Sequence, residues 1–280
     1  MIGPLAVVPA PPLAPPGPAR WLGSQRISLE RCGSTNDEAA RLARAGAGHG
    51  TVVIARAQDA GRGRDGRAWA SPPDAGLYLS AVVRPALAVS DVPPMTLAIG
   101  VGLCDAVRAV GARAALKWPN DALVGGRKLA GVLVESHSQG GRLDAVIVGI
   151  GVNLVTTALP GELATTAIAL DEATGAAIDR ARFIDTLLAH VECWIDRYVA
   201  SGLAAITAAW HARMAGGITA RARIDGADVL GEIAGLASDG ALLLRDGRGQ
   251  VHRVRSGDVE VVRPLAELRG APHAVLDPRV

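Results

Sequence analysis

Nine consecutive residues, Gly61-Arg62-Gly63-Arg64-Asp65-Gly66-Arg67-Ala68-Trp69, combine three glycines with three arginines. Glycine lets the backbone approach a ligand closely and take positive φ. Arginine carries a permanent charge on a planar fork of donors that fits a carboxylate or a phosphate. The segment therefore reads as an anion clamp. Gly61, Gly63 and Gly66 satisfy G-x-G-x-x-G, but a dinucleotide-binding turn must open a helix, and Pro72 and Pro73 stop one here. The Walker pattern fails as well, because Arg67 and Ala68 stand where a lysine and a hydroxyl are needed. Taken alone, the segment could also be a flexible basic loop or an Arg-Gly stretch that touches RNA.

Four further segments carry chemistry. Ser34-Thr35-Asn36 offers small hydrogen-bonding side chains at a helix start. Lys117-Trp118-Pro119-Asn120-Asp121 ends a strand with a cation, a ring, a stiff turn and an acid. Arg127 and Lys128 precede a strand that contains Gly131 and ends at Glu135. Gly149-Ile150-Gly151-Val152-Asn153 ends another strand in backbone that can press on a ligand. Singly, each has a plain structural explanation: a helix cap, a solvated charge pair, a surface lysine, a bulge. Together they lie at strand ends and helix starts, where α/β sites are built.

The elements that must position these residues are legible from pattern. Thr35-Asn36-Asp37-Glu38 is a capping-box sequence, followed by an apolar side of Ala39, Leu42 and Ala43. Strands are expected over Thr51–Ala55, Leu77–Val83, Ala114–Leu116, Leu129–Glu135 and Leu143–Ile150. Pro94 suits the first turn of a buried helix that runs to about Val110. Phe183, Leu187, Val191 and Ile195, spaced by four, predict a helix from about Asp179 to Ala200, with another over about Leu203–Met214. Beyond Gly216-Gly217 come short alternating segments separated by Asp225-Gly226, Asp239-Gly240 and Asp246-Gly247, the marks of hairpins in a small closed barrel. There is no internal repeat.

Composition bounds the function. The 280 residues suffice for about two domains. Hydrophobic residues make up 49% and charged residues 20%, as in a globular chain rather than a disordered one. A net charge of +2 and only five Trp, two Tyr and one Phe argue against a broad nucleic-acid surface. Cys32, Cys104 and Cys193 form no CxxC pair and suit reduced thiols in a cytoplasmic protein. The six histidines lack metal-ligand spacing. Residues Met1–Pro18 hold seven prolines and no signal-peptide pattern. No apolar run reaches membrane-spanning length.

The ordered set GRGRDGRAW, KWPND, RKLAGVLVE and GIGVN closely resembles the biotin protein ligases, the biotin–[acetyl-CoA-carboxylase] ligases, over roughly Trp21 to Glu260. The resemblance implies an α+β fold, a mixed sheet flanked by helices of the class II synthetase-like type, with a small C-terminal SH3-like β-barrel. It implies a Pro-rich disordered leader (1–20), a catalytic biotin- and ATP-binding domain (21–217), the barrel (218–268) and a tail (269–280). About 20 residues before the body are too few for the helix-turn-helix of many bacterial relatives, so the likeness is to the monofunctional type without a DNA-binding domain. A lipoate or octanoate ligase shares the general fold, but the arginine loop favours biotin.

The implied reaction has two steps: biotin and ATP give biotinyl-5′-adenylate, and a lysine of a biotin carboxyl carrier domain then takes the biotinyl group. The resemblance assigns catalysis to Lys128, Arg64 and Arg62. It assigns biotin binding to Ser34, Thr35, Asn36, Gln58, Gly61, Arg62, Gly63, Arg64, Trp69, Lys128, Gly131, Gly149 and Gly151. ATP falls to Arg64, Arg67, Trp69, Lys117, Asn120, Lys128 and Asn153, and Mg2+ to Asp121. Partners are the carrier domains of biotin-dependent carboxylases, with no nucleic acid and no membrane. The arginine loop is expected to order over biotin and shield the adenylate from water. Asp65 places an acid inside that loop and lowers its positive field.

Overall fold

A computed structural model describes residues 16–214, 218–224, 226–255, 257 and 259–264. The chain forms two compact units, one ending at Met214 and one beginning at Ala215. The first holds a seven-stranded mixed sheet of β1 (Gln25–Cys32), β2 (Thr51–Gln58), β3 (Gly76–Val83), β4 (Ala115–Lys117), β5 (Asp121–Val124), β6 (Arg127–Gln139) and β7 (Arg142–Asn153). The order is β1-β2-β3-β7-β6-β5-β4. β1 runs parallel to β2, and the other pairs are antiparallel.

Among the described residues this unit has five α-helices: α1 (Thr35–Arg44), α2 (Val92–Ala109), α3 (Leu170–Thr174), α4 (Arg180–Ser201) and α5 (Ala204–His211). The α1 alanines Ala39, Ala40 and Ala43 pack on Val53, Val82 and Ile147 of the sheet. Small side chains let the helix sit close, so its first turn lies against the strands. α2 starts with prolines in its first turn, where the missing N–H costs nothing. It packs against α4, α5 and β6 and buries most of its length. By length and composition α2 could cross a membrane, but a buried core helix has the same make-up.

The second unit contains β8 (Ile218–Ile224), β9 (Ala227–Leu236), β10 (Leu242–Asp246), β11 (Val251–Val254) and β12 (Val259–Pro264). They form a five-stranded antiparallel sheet ordered β11-β10-β9-β8-β12, consistent with an SH3-like domain. Ala220, Ala222, Leu242, Leu244, Val254 and Val259 are among its buried side chains. Asp225 of the expected Asp225-Gly226 turn lies outside the described residues, as do 1–15 of the expected leader and the whole tail. Arg20, the last residue of that leader, is engaged: the N–H groups of Arg20, Trp21 and Leu22 all donate to the buried Glu192 carboxylate of α4.

Three local features differ from the sequence reading. α1 begins at Thr35, so Ser34 is the cap residue, and its side chain makes no capping hydrogen bond. The expected box fails because the Thr35 hydroxyl is turned towards Gln58 and Ser80. Asp121, read as a strand exit, opens β5, and Gly125-Gly126 at positive φ then turn the chain into β6. β1 is an additional edge strand with one side exposed.

Candidate active site

Strand pairing gathers residues that are far apart in the chain. Lys117 opposes Asp121, Asp121 opposes Gly131, Gly131 opposes Gly151, and Gly151 opposes Tyr78. Directly opposed residues share a face. One row across β4, β5, β6, β7 and β3 thus sets a cation and an acid beside two glycines.

Lys128 stands three residues before Gly131 and in a regular strand would face the other way. Between β5 and β6 the register shifts: Ala122 opposes Ala130, whereas Leu123 opposes Lys128. Leu129 is the extra residue of this bulge, which returns Lys128 to the face of the row. Its Nζ lies 2.8 Å from Asp121 Oδ1 and 5.2 Å from the Trp69 ring centroid. Its main chain is held on both sides. The Lys128 N–H donates to Thr166 O at 2.8 Å, and its carbonyl accepts from Ile168 N at 3.0 Å. Asn153 Nδ2 donates to the carbonyls of Lys128 and Ile168. Asn120 plays a matching part, donating Nδ2 to Val132 O at 2.8 Å while its own carbonyl accepts from Val132 N. Both asparagines, expected on the nucleotide, thus give amide donors to main chain around Lys128 and the β4–β5 turn.

The glycines make room for Trp69. A Cβ on Gly151 would lie 2.6 Å from Trp69 Cε2, and one on Gly131 would lie 3.3 Å from Cζ3. The ring therefore rests on bare backbone. Among the described residues, Trp69 Nε1 and Asp121 Oδ1 are buried side-chain atoms without a hydrogen-bond partner. Asp121 Oδ1 is within ion-pair distance of Lys128, but the contact lacks hydrogen-bond geometry, so charge is answered and direction is not. An orphan donor and an orphan acceptor beside one lysine are groups that a polar ligand could satisfy.

Next to this row lies a buried polar chain. Gln58 Oε1 accepts from Thr35 N at 2.8 Å and lies 3.1 Å from Thr35 Oγ1, and Gln58 Nε2 donates to Ser71 Oγ at 2.8 Å. Ser80 Oγ lies 2.7 Å from Thr35 Oγ1 and 2.6 Å from Asn36 Oδ1. A hydroxyl has one proton, and Asn36 Oδ1 can only accept. The two hydroxyl protons of Thr35 and Ser80 thus serve three contacts, to Gln58 Oε1, between the two hydroxyls and to Asn36 Oδ1, and both amide oxygens only accept. Asn36 Nδ2 continues to Glu135 Oε2 at 2.6 Å. Gly149 lies under this chain, where a Cβ would be 2.2 Å from Asn36 Oδ1. Ser34 is buried beside it.

The arginine loop is a small hairpin. Gly61 O accepts from Trp69 N at 2.8 Å, Gly63 N donates to Arg67 O at 2.7 Å, and Arg62 bridges Ala68. Its tip is Arg64–Gly66, with Asp65 at φ 55. Asp65 Oδ2 lies 4.0 Å from Arg64 and 3.7 Å from Arg67. Arg62 makes a bidentate pair with Asp37, at 2.6 and 2.7 Å, and lies 3.7 Å from Glu135. Hydrogen bonds from Arg62 hold the Asp37 carboxyl below the usual carboxylate range.

The structure thus brings Thr35, Asn36, Gln58, Gly149 and the base of the loop together on one side, and Lys117, Asp121, Lys128, Gly131, Gly151 and Trp69 on the other. Arg64 and Arg67 stand at the loop tip. Sequence reasoning missed Asp37, Ser71 and Ser80, and saw Glu135 only as a strand end. The capping-box match at Asp37 concealed its pairing with Arg62. Ser80, the one aliphatic hydroxyl in the buried strand Gly76–Val83, is the signal that could have been read.

A model of the biotin/lipoate A/B protein ligase family matches residues 29–153, which take in the site from Ser34 to Asn153. The biotin–[acetyl-CoA-carboxylase] ligase of Paracoccus denitrificans is 38% identical over 230 residues, covering 79% of this chain and 95% of that protein. The solved biotin protein ligase of Aquifex aeolicus in complex with biotin and ATP superposes with a TM-score of 0.74 at 27% identity, over 86% of this chain and 99% of that one. The Leishmania major enzyme in complex with biotinyl-5-AMP gives 0.57 at 25% identity, over 83% of this chain and 99% of that one. The chain belongs to the biotin/lipoate A/B ligase family and, within it, to the biotin protein ligases. It is an enzyme, a ligase.

Proposed function

We propose that this chain activates biotin with ATP and transfers it to a lysine of biotin carboxyl carrier domains of biotin-dependent carboxylases. In the first step a biotin carboxylate oxygen attacks the α-phosphate of ATP, the bond to the β-phosphate breaks, and biotinyl-5′-adenylate and pyrophosphate result. In the second, the carrier's lysine amine attacks the acyl carbon, loses a proton, and AMP departs. The relatives bound to biotin and ATP, and to biotinyl-5-AMP, support this order of events.

One observation carries the reading: a bulge aims Lys128 between a glycine floor and Asp121, next to a buried chain of hydrogen-bonding side chains. A carboxylate and a triphosphate repel, and a fixed cation between them offsets that repulsion in the transition state. Lys128 is a compact point charge suited to the gap between the two anions. Arg64 grips the developing adenylate phosphate from the loop, with Arg67 and Lys117 towards the leaving pyrophosphate. The Thr35–Asn36–Gln58 chain, with both donors and acceptors, suits a cyclic urea, and the floor of Gly149 and Gly151 lets a flat bicycle lie against the sheet. Trp69 closes the wall between the two substrates.

Magnesium fits as an ion carried by the nucleotide. Among the described residues no cluster of three or more His, Cys, Asp or Glu is arranged to hold a metal, and this ion commonly uses one or two carboxylates plus phosphates. Asp121, with a buried oxygen lacking a hydrogen-bond donor, would take that part. The ion would neutralise phosphate charge. The unpaired thiols of Cys32, Cys104 and Cys193 suit a reducing, cytoplasmic setting.

The test is pyrophosphate exchange into ATP with biotin, lipoate or octanoate as the acid. Exchange that requires biotin is expected. Exchange that requires lipoate or octanoate instead would replace the substrate, and none with any acid would reject acyl-adenylate chemistry.

A further inference from the structure

Arg62 differs from Arg64 and Lys128 in how fully its charge is answered. Both its terminal nitrogens meet Asp37, at 2.6 and 2.7 Å, and one is 3.7 Å from Glu135. Glu135 in turn accepts from Asn36 Nδ2 at 2.6 Å. Asp37 and Asn36 are neighbours on α1, and Glu135 stands on β6. One guanidinium therefore fastens the first arm of the hairpin to a helix and a strand. A substrate anion reaching for that fork would have to displace Asp37. Among the described residues, by contrast, Arg64 has only a 4.0 Å approach from Asp65, and Lys128 has a single carboxylate beside it, without hydrogen-bond geometry.

We propose that Arg62 is a positioning residue, docking the arginine loop onto α1 through Asp37, while Arg64 and Lys128 meet the reacting oxygens. The inference rests on the biotin-activating reading for its kinetics but not for its geometry. Because Asn36 and Asp37 are adjacent, docking also ties the loop to the polar chain assigned to the ureido ring. Capture of that ring and closure of the loop then share one helical turn. Losing the pair loosens the loop, and the penalty falls on holding biotin rather than on the chemical step.

The experiment compares Asp37→Asn, Arg62→Met and the double variant by hydrogen exchange of the peptide covering 61–69, and by kcat and biotin KM in pyrophosphate exchange. Both pair members are partly exposed, so a several-fold effect is expected rather than a hundredfold one. Loop amides should exchange about fivefold faster in Asp37→Asn and in Arg62→Met, with biotin KM raised by a similar factor. The double variant should add nothing further, because either change already removes the same contact. Arg62→Lys keeps the charge but loses the fork, so it should behave like Arg62→Met; it also serves if that variant does not fold. Parental loop exchange and KM in Asp37→Asn would overturn the proposal. So would a collapse of kcat in Arg62→Met that Asp37→Asn does not share, since Arg62 would then touch the reacting atoms. If the parent shows no biotin-dependent exchange, the biotin reading fails on its own, and the loop-exchange comparison still decides the docking.

Discussion

Gly149→Ala tests whether the buried polar chain is rigid. The new Cβ would lie 2.2 Å from Asn36 Oδ1, 3.0 Å from Cγ and 3.1 Å from Nδ2. Ordinary carbon contacts begin near 3.5 Å, so the Asn36 amide must move by roughly an ångström. It has little freedom, because Ser80 donates to its oxygen and its nitrogen donates to Glu135. Ser80 is fully buried, and without Asn36 its proton can turn only to Thr35 Oγ1, at 2.7 Å. Overpacking costs about 1–3 kcal/mol, and losing the Ser80–Asn36 hydrogen bond costs about 1 kcal/mol more. A loss of about 2–4 kcal/mol is therefore expected. Urea unfolding followed by tryptophan fluorescence is the assay. All five tryptophans, Trp21, Trp69, Trp118, Trp194 and Trp210, lie before Ala215 and report on the larger unit alone. Gly151→Ala is the internal control. It stands two residues further along the same face, but its Cβ meets the half-buried Trp69 ring on the loop. That ring can shift, so stability should change little while biotin and ATP KM rise. A Gly149→Ala loss below about 0.5 kcal/mol would refute the reasoning, because Asn36 could then step aside without breaking the chain.

Lys128→Ala should lower biotin-dependent pyrophosphate exchange by about 10²–10³-fold, the usual loss when one preorganised stabilising group is removed. The fluorescence-detected urea midpoint should stay near the parent's, and near-normal turnover would remove the assigned role. Glu192 should make the fold acid-sensitive. Burial pushes its pKa up, but N–H bonds from Leu22, Arg20 and Trp21 outweigh this and hold it below the ordinary glutamate value. Its stabilisation is therefore complete above that ordinary value and drains away as pH falls through the folded one. Glu192→Gln should flatten that acid limb and cost about 1–3 kcal/mol at neutral pH; an unchanged limb would reject the assignment. Burial pushes the Cys104 thiol up to about 11. Native protein at pH 8 should leave Cys104 unlabelled by iodoacetamide, with labelling appearing only in urea; native labelling would show that the site opens.

Elements with strong periodicity were legible. The spacing of Phe183, Leu187, Val191 and Ile195 predicts a helix from about Asp179, and α4 runs Arg180–Ser201 with Asp179 accepting from Arg182 N. The chemistry-bearing segments were legible as a set because residue types were unusual for their places: arginines among glycines, and glycines at the ends of buried strands. What the sequence hid was register. Nothing local shows that Asp121 opposes Gly131 and Gly131 opposes Gly151, because such pairing is fixed by the whole sheet. The bulge at Leu129 was equally hidden, since Leu129 reads as an ordinary strand residue. Asp37 looked like an acid suited to a helix start, which it is, and that explanation left no reason to seek Arg62.

The peptide units around Lys128 are pinned by Thr166, Ile168 and Asn153, whereas its ammonium ends a flexible four-carbon stem. The lysine is a tethered ion with a fixed origin. Whatever acid is to be activated must bring its oxygens inside the sphere that the stem can sweep, because the root cannot advance to meet them. Chain length in the acyl substrate is then measured from the far end of the pocket, much as a ruler reads from its stop. On the proposed biotin-binding role of Thr35, Asn36 and Gly149, changing which acid reacts should require moving that stop and not the lysine. A variant library confined to the stop would alter acyl preference while keeping the same activating chemistry.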